Sequence, residues 1–152
     1  MTIAVTGATG FTGRHLFQAA ARQGLRAVAV RADITDRRAL AAELSALAPT
    51  RVVHLAGISN INHADPRDFY LVNVVGSINL LEALAALPAP PARVVLASSA
   101  TVYGPEASLP ASEHAPTNPV THYAISKVAM EQAARLVSDR LPVIVARPFN
   151  YT

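Results

Sequence analysis

Short apolar runs alternate along this chain with longer stretches whose apolar residues recur every three or four positions. Thr2-Ile3-Ala4-Val5-Thr6 reads as a first strand, and Gly7 to Gly13 turns the chain. Phe11 to Gln23 has helical periodicity and is stopped by Gly24, a residue suited to a helix C-terminus. Arg26 to Val30 is a second strand. Thr35 or Asp36 is placed to N-cap a helix running to about Ala48, ended by Pro49. Arg51 to Ala56 reads as a buried-type strand. Asp65-Pro66 opens a helix reaching about Leu87, closed by Pro88-Ala89-Pro90-Pro91. Arg93 to Ser98 is again a strand, a Pro-, Ser- and Gly-bearing loop spans Gly104 to Pro119, and a helix follows from Thr121 to about Arg140. Pro142 to Ala146 gives the last strand. Continuous apolar strands alternating with helices predict an α/β fold with a parallel sheet covered on both faces.

Length and composition narrow the class. The 152 residues suit one domain, taken as 1–152, with its own core. Hydrophobic residues make up 51% and charged residues 15%. No uncharged apolar run reaches the roughly 18–20 residues of a membrane span, and no basic segment precedes an apolar one at the N-terminus. With no cysteine, thiolate metal sites and disulfides are excluded; a cytoplasmic protein is expected. The formal charge of +3 comes from scattered arginines, with Arg37-Arg38 the single adjacent pair. Nucleic-acid binders cluster their cations, so a small phosphorylated ligand is the better match. His15, His54, His63, His114 and His122 show no metal-ligand spacing, so no metal is expected.

Three motifs carry chemistry. Gly7-x-x-Gly10-x-x-Gly13 lies between the first strand and first helix. There glycines let backbone approach a pyrophosphate, and the helix N-terminus supplies donors and partial positive charge. Ser98-Ser99-Ala100-Thr101 stands at the carboxyl end of a strand, where such sheets collect ligands, and a hydroxyl there can bond a substrate oxygen that changes charge. Tyr123-Ala-Ile-Ser-Lys127 holds the sole lysine of the chain, since the other twelve Lys/Arg positions are arginine. A four-residue spacing puts both side chains on one helix face. An ammonium there favours a phenolate, which suits proton transfer near neutrality.

Six segments in order carry a resemblance: Gly-Ala-Thr-Gly-Phe-Thr-Gly (7–13), His-Leu-Ala-Gly (54–57), Val-Asn-Val-Val-Gly-Ser-Ile-Asn-Leu-Leu-Glu (72–82), Ser-Ser-Ala-Thr-Val-Tyr-Gly (98–104), Tyr-Ala-Ile-Ser-Lys (123–127) and Arg-Pro-Phe-Asn-Tyr-Thr (147–152). Across nearly its whole length the chain resembles the extended short-chain dehydrogenase/reductase family, and within it the nucleotide-sugar epimerases, dehydratases and reductases. The resemblance implies a Rossmann-type doubly wound sheet binding NAD or NADP. It implies Tyr123 as general acid/base, Lys127 tuning it and holding the nicotinamide ribose, and Ser99 polarising the sugar oxygen. Gly7, Gly10, Phe11 and Gly13 would wrap the pyrophosphate, and Asp33 and Ile34 would hold adenine. Leu55, Ala56 and Gly57 would line the ribose side, with Asn73 and Pro148 near the nicotinamide. Thr101 and Asn150 would face the substrate, Asn150 at its diphosphate. Asp36 reads as a helix cap, and Leu80 to Leu87 as core or dimer face. The helices at Pro66–Leu87 and Thr121–Arg140 resemble the family's dimerisation surface, so a homodimer is expected.

The chain also departs from the family's pattern. Where an acidic residue usually ends the second strand stands Arg31, a cation suited to the 2′-phosphate of NADP. Asp33-Ile34-Thr35-Asp36 follows almost at once, so one helix and one strand are missing, and a five-stranded sheet is expected. The last motif stops at Tyr151-Thr152, before the segment that builds the family's substrate lobe, so a fragment without that lobe is expected. Ala100 and Thr101 stand where the dehydratases carry an acidic pair, which argues against water elimination. Ser-Ser-Ala-Thr-Val-Tyr-Gly (98–104) resembles the UDP-hexose 4-epimerases, whereas Arg-Pro-Phe-Asn-Tyr-Thr (147–152), Ala-Gly-Ile-Ser (56–59) and the helix beginning near Asp65 resemble the GDP-4-keto-6-deoxymannose reductases, so the resemblance favours a GDP-linked 4-keto-6-deoxy-sugar reductase over a UDP-hexose 4-epimerase. A non-catalytic NAD(P) binder or an inactive remnant remains the contrasting class.

Overall fold

A computed structural model describes residues 1–105 and 110–149. Among them five strands form one parallel sheet: β1 (Thr2–Thr6), β2 (Arg26–Ala29), β3 (Arg51–His54), β4 (Arg93–Ala97) and β5 (Val143–Ala146), in the order β2-β1-β3-β4-β5. Helices α1 (Phe11–Arg22), α2 (Arg37–Leu47), α3 (Ser77–Ala85) and α4 (His122–Arg135) connect them. The five-stranded Rossmann-type architecture read from the sequence is the observed one. No strand forms between β2 and α2. Residues 31–36 turn directly into α2, whose N-cap Asp36 accepts from the N–H groups of Arg38 and Ala39. The chain leaves β1 for β2 on one side and returns to β3 on the other, so a crevice opens at the carboxyl ends of β1 and β3.

Right-handed crossovers put α1 on one face of the sheet and α2, α3 and α4 together on the other, where α2 packs on α3 and α3 on α4. That second face is the core: Leu40, Leu44, Val52, Leu80, Leu81, Leu84, Val94, Leu96 and Met130 are all at most 1% exposed. The face carrying α1 is covered only in part. Val5, Val53, Val95 and Ile144 stand side by side across the registered strands, and exposure grows from 0% at Val5 to 44% at Ile144. The expectation of a sheet covered on both faces thus holds at β1 and fails at β5.

Two helices differ from their expected form. The run that begins at Pro66 widens into a π-type helix over Phe69–Gly76 before tightening into α3. As one helical stretch, Pro66–Ala85 is long and apolar enough to cross a membrane, with mean hydropathy 1.2. Here it lies against α2 and α4, with Leu80, Leu81 and Leu84 in the core. Helix α4 ends at Arg135, not near Arg140, because the next three residues switch to i→i−3 bonds: Leu136 to Ala133, Val137 to Ala134 and Ser138 to Arg135.

Candidate active site

The glycine turn is shaped for close backbone approach. Gly7 has φ of +69°, and a Cβ there would sit 2.6 Å from the Ala56 nitrogen. A Cβ at Gly13 would collide with the Gly7 carbonyl. Helix α1 then starts on Gly10, which has no side chain with which to cap it, leaving the positive end of the helix facing the crevice. This backbone cradle fits a dinucleotide pyrophosphate. Phe11 is half-exposed beside it, its ring 4.6 Å from that of His15.

From this turn a cleft of about 330 Å³ runs along the carboxyl ends of the strands. It brings together Leu55 and Gly57 after β3, Ser99 after β4, Tyr123 and Lys127 on α4, and Pro148 after β5. Thr12, Ile58, Ser59, Ala97, Ser98 and Phe149 complete its walls. Tyr123 and Lys127 share one face of α4, with the ammonium 5.9 Å from the phenol ring centre. Phe69 backs the Tyr123 ring at 6.1 Å. Lys127 is buried and donates to the Ala97 carbonyl at 2.9 Å. Burial lowers its pKa from 10.5 to about 8, with the Glu131 carboxylate acting in the opposite direction.

Ser99 N-caps the 3-10 turn Ala100–Tyr103 and accepts from the Thr101 N–H (3.2 Å) and the Thr101 hydroxyl (2.9 Å). Both bonds leave the Ser99 proton available for another acceptor. Thr101 itself is exposed and holds Ser99. Asn73, fully buried, accepts from the Ile58 N–H (2.8 Å) and donates to the Ile58 carbonyl (3.0 Å) and the Ser126 hydroxyl (3.0 Å). It therefore fastens the loop after β3 to α4.

At the far end of the crevice, Arg31 is exposed, and its N–H and that of Ala32 bond the Glu43 carboxylate from α2. Asp33 accepts from the Thr35 N–H and hydroxyl, both at 2.8 Å, which hold its carboxyl below the usual range. Ile34 is buried in the core. Asn150 lies outside the described residues. Among the described residues no three His, Asp or Glu side chains gather as a metal site.

Over residues 3–152 the chain matches the NAD dependent epimerase/dehydratase family. The chain belongs to this family. It is 37% identical, over 97% of its length, to a GDP-6-deoxy-D-mannose reductase of Pseudomonas aeruginosa, of which it covers 51%. It is 32% identical, over 99%, to a GDP-6-deoxy-D-talose 4-dehydrogenase of Aggregatibacter actinomycetemcomitans, covering 53%, and 31% identical, over 99%, to a UDP-glucose 4-epimerase of Yersinia enterocolitica, covering 53%. Among solved structures, a putative epimerase from Burkholderia cenocepacia matches 99% of the chain and 55% of its own, at 38% identity and TM-score 0.90. The RMD protein of Pseudomonas aeruginosa complexed with NADPH matches 98% and 54%, at 33% and 0.85. The chain spans about half the length of the curated relatives it matches.

Several side chains that build the site escaped the sequence reading. Thr6 and His54 are the polar ends of apolar strands and stand in register. Glu131 is the next residue on the Tyr123–Lys127 stripe, yet only the structure shows it paired bidentately with Arg147, at 2.5 and 3.0 Å, and bonded by Ser98.

Proposed function

We propose that this chain is the dinucleotide-binding, hydride-transfer half of a nucleotide-sugar oxidoreductase, acting as a GDP-linked 4-keto-6-deoxy-sugar reductase. The observation that carries the reading is the single cleft joining the glycine turn at Thr12 to Ser99, Tyr123 and Lys127. When bound, NAD(P)H supplies a hydride to the sugar carbonyl carbon. Ser99 donates a hydrogen bond to the carbonyl oxygen as negative charge grows on it. Tyr123 gives that oxygen its phenolic proton, completing the alcohol. Lys127, one helical turn away, places its ammonium 5.9 Å from the phenol ring centre and would hold the nicotinamide ribose of a bound cofactor.

Arg31 favours NADP, because its exposed guanidinium at the end of β2 suits a 2′-phosphate. Arg31→Ala then weakens NADPH about tenfold or more and leaves NADH nearly unchanged, read by nicotinamide fluorescence. The absence of a carboxylate at Ala100 and Thr101 fits reduction and also fits 4-epimerisation, the reading favoured by the epimerase relatives. Incubation with NADPH and a GDP-linked 4-keto-6-deoxy sugar separates them: a reductase consumes one NADPH per sugar, whereas an epimerase interconverts a UDP-hexose on retained NAD. Binding without either turnover supports a non-catalytic binder, and no binding at millimolar dinucleotide refutes the reading for this chain. Half-exposed Leu71, Val75 and Ile125 on the helices flanking the site favour a homodimer through this face; a monomer by light scattering across micromolar concentrations refutes that part.

A further inference from the structure

Five side chains beneath the cleft are linked by hydrogen bonds, the link at Asn73 passing from its main-chain carbonyl to its carboxamide. The Ala56 N–H donates to the Thr6 hydroxyl oxygen at 3.2 Å. Thr6 Oγ1 lies 2.6 Å from His54 Nδ1, and His54 Nε2 lies 2.8 Å from Ser77 Oγ. The Ser77 hydroxyl donates to the Asn73 carbonyl at 2.6 Å, and Asn73 donates to Ser126, which donates to the Tyr123 carbonyl at 2.7 Å.

The directions are forced. Ser77 has one proton and spends it on Asn73, so toward His54 it only accepts. His54 Nε2 must then carry the ring hydrogen, Nδ1 must be bare, and Thr6 must donate to it. Every buried side-chain polar atom in the string has a hydrogen-bond partner. His54, Ser77 and Asn73 are each at most 1% exposed. The string meets the π-type stretch Phe69–Gly76 where it returns to α geometry at Ser77. π segments inside helices frequently lie at functional sites. Here the widened turn presents both the carbonyl and the carboxamide of Asn73, and the carboxamide alone joins Ile58 to Ser126.

We propose that His54, locked as the neutral Nε2–H tautomer, is a positioning residue that acts through Ser77 and Asn73 to fix the α4 backbone at Tyr123, whose main-chain carbonyl accepts from Ser126. The inference rests on the reading of Tyr123 as acid/base above. Ser77→Ala removes the middle link, and Ser77→Thr keeps the hydroxyl. Loss of the link lowers kcat for sugar reduction about tenfold or more, leaves KM for the sugar within about threefold, and is reversed by threonine. Two spectroscopic readouts need no turnover. The ring nitrogens of His54 report an Nε2–H neutral imidazole between pH 5 and 8, and the Tyr123 Cζ resonance moves in Ser77→Ala and returns in Ser77→Thr. An Nδ1–H tautomer, a protonated ring at pH 6, or a Tyr123 resonance indifferent to both variants overturns the inference. Absence of sugar turnover with the resonances behaving as described refutes the reductase reading and leaves the string standing.

Discussion

Replacing Lys127 by methionine should make the protein more stable at neutral pH while abolishing the proposed chemistry. The lysine is buried, and burial, opposed by Glu131, lowers its pKa from 10.5 to about 8. For a cation, a lowered folded-state pKa means that the charged form destabilises the fold. The cost is fully present below about pH 8, shrinks as pH rises, and is gone above pH 10.5, where the unfolded chain no longer binds the proton either. At about 1.4 kcal/mol per pH unit, the drop corresponds to about 3 kcal/mol. Methionine keeps most of the aliphatic volume but gives up the bond to the Ala97 carbonyl, a loss of about 1 kcal/mol. The net gain at pH 7 is about 2 kcal/mol, or about 4–8 °C in Tm for a domain of this size. Urea unfolding of both proteins from pH 7 to 10.5 reads the difference. It should shrink through this interval and reverse sign at its upper end. A variant less stable than the parent at pH 7, or a difference flat across the interval, refutes the account of Lys127 as an ammonium held against its solvation preference.

Three further outcomes follow from the same geometry. Tyr123→Phe keeps the ring against Phe69 but removes the transferable proton, so the proposed reduction falls by about 10²–10⁴ while dinucleotide fluorescence titration stays within a few-fold. His54 has its pKa lowered from 6.5 to about 3, first by burial and then by the charge of Lys127. A neutral buried histidine leaves stability intact above pH 6.5 and removes it progressively as pH falls toward 3, at about 1.4 kcal/mol per pH unit; His54→Gln should show a smaller loss between pH 7 and 5 by thermal unfolding. Glu131→Gln leaves the Arg147 guanidinium, with a side chain 17% exposed, without its counter-charge, so denaturant unfolding should show a loss of about 3 kcal/mol or more.

The strand positions were legible because each strand is a continuous apolar run flanked by glycine, proline or a helix cap. Cap chemistry placed α2 as well: Asp36 was one of two proposed N-caps, and its carboxylate takes the Arg38 and Ala39 N–H groups. What periodicity did not carry is helix width. Phe69–Gly76 has the apolar content of an ordinary core helix, yet it adopts the π form and buries Asn73, whose side chain bonds Ile58 and Ser126. The end of α4 was misplaced for a related reason. Leu136 looks like a continuing helix residue, yet it is 81% exposed, while Val137 and Leu141 turn into the core.

The same distinction separates the legible part of the site from the rest. Tyr123 and Lys127 are marked by spacing and by the chain's single lysine, and Gly7 and Gly13 by their place between strand and helix, so both could be found along the sequence. Thr6, His54, Ser77 and Ser126 are distant from one another in sequence; Thr6 meets His54 because β1 and β3 are neighbours, and Ser126 meets Asn73 because α4 packs on the π-type stretch. Each alone is an unremarkable polar residue in an apolar element. Their meaning comes from direction: one serine proton, once spent on Asn73, fixes the histidine tautomer and with it Thr6 as the donor to Nδ1. A buried imidazole beside a buried ammonium would ordinarily be an electrostatic liability. Held neutral and bonded at both nitrogens, it can stay next to Lys127 without repelling the charge on which the proposed chemistry of Tyr123 depends.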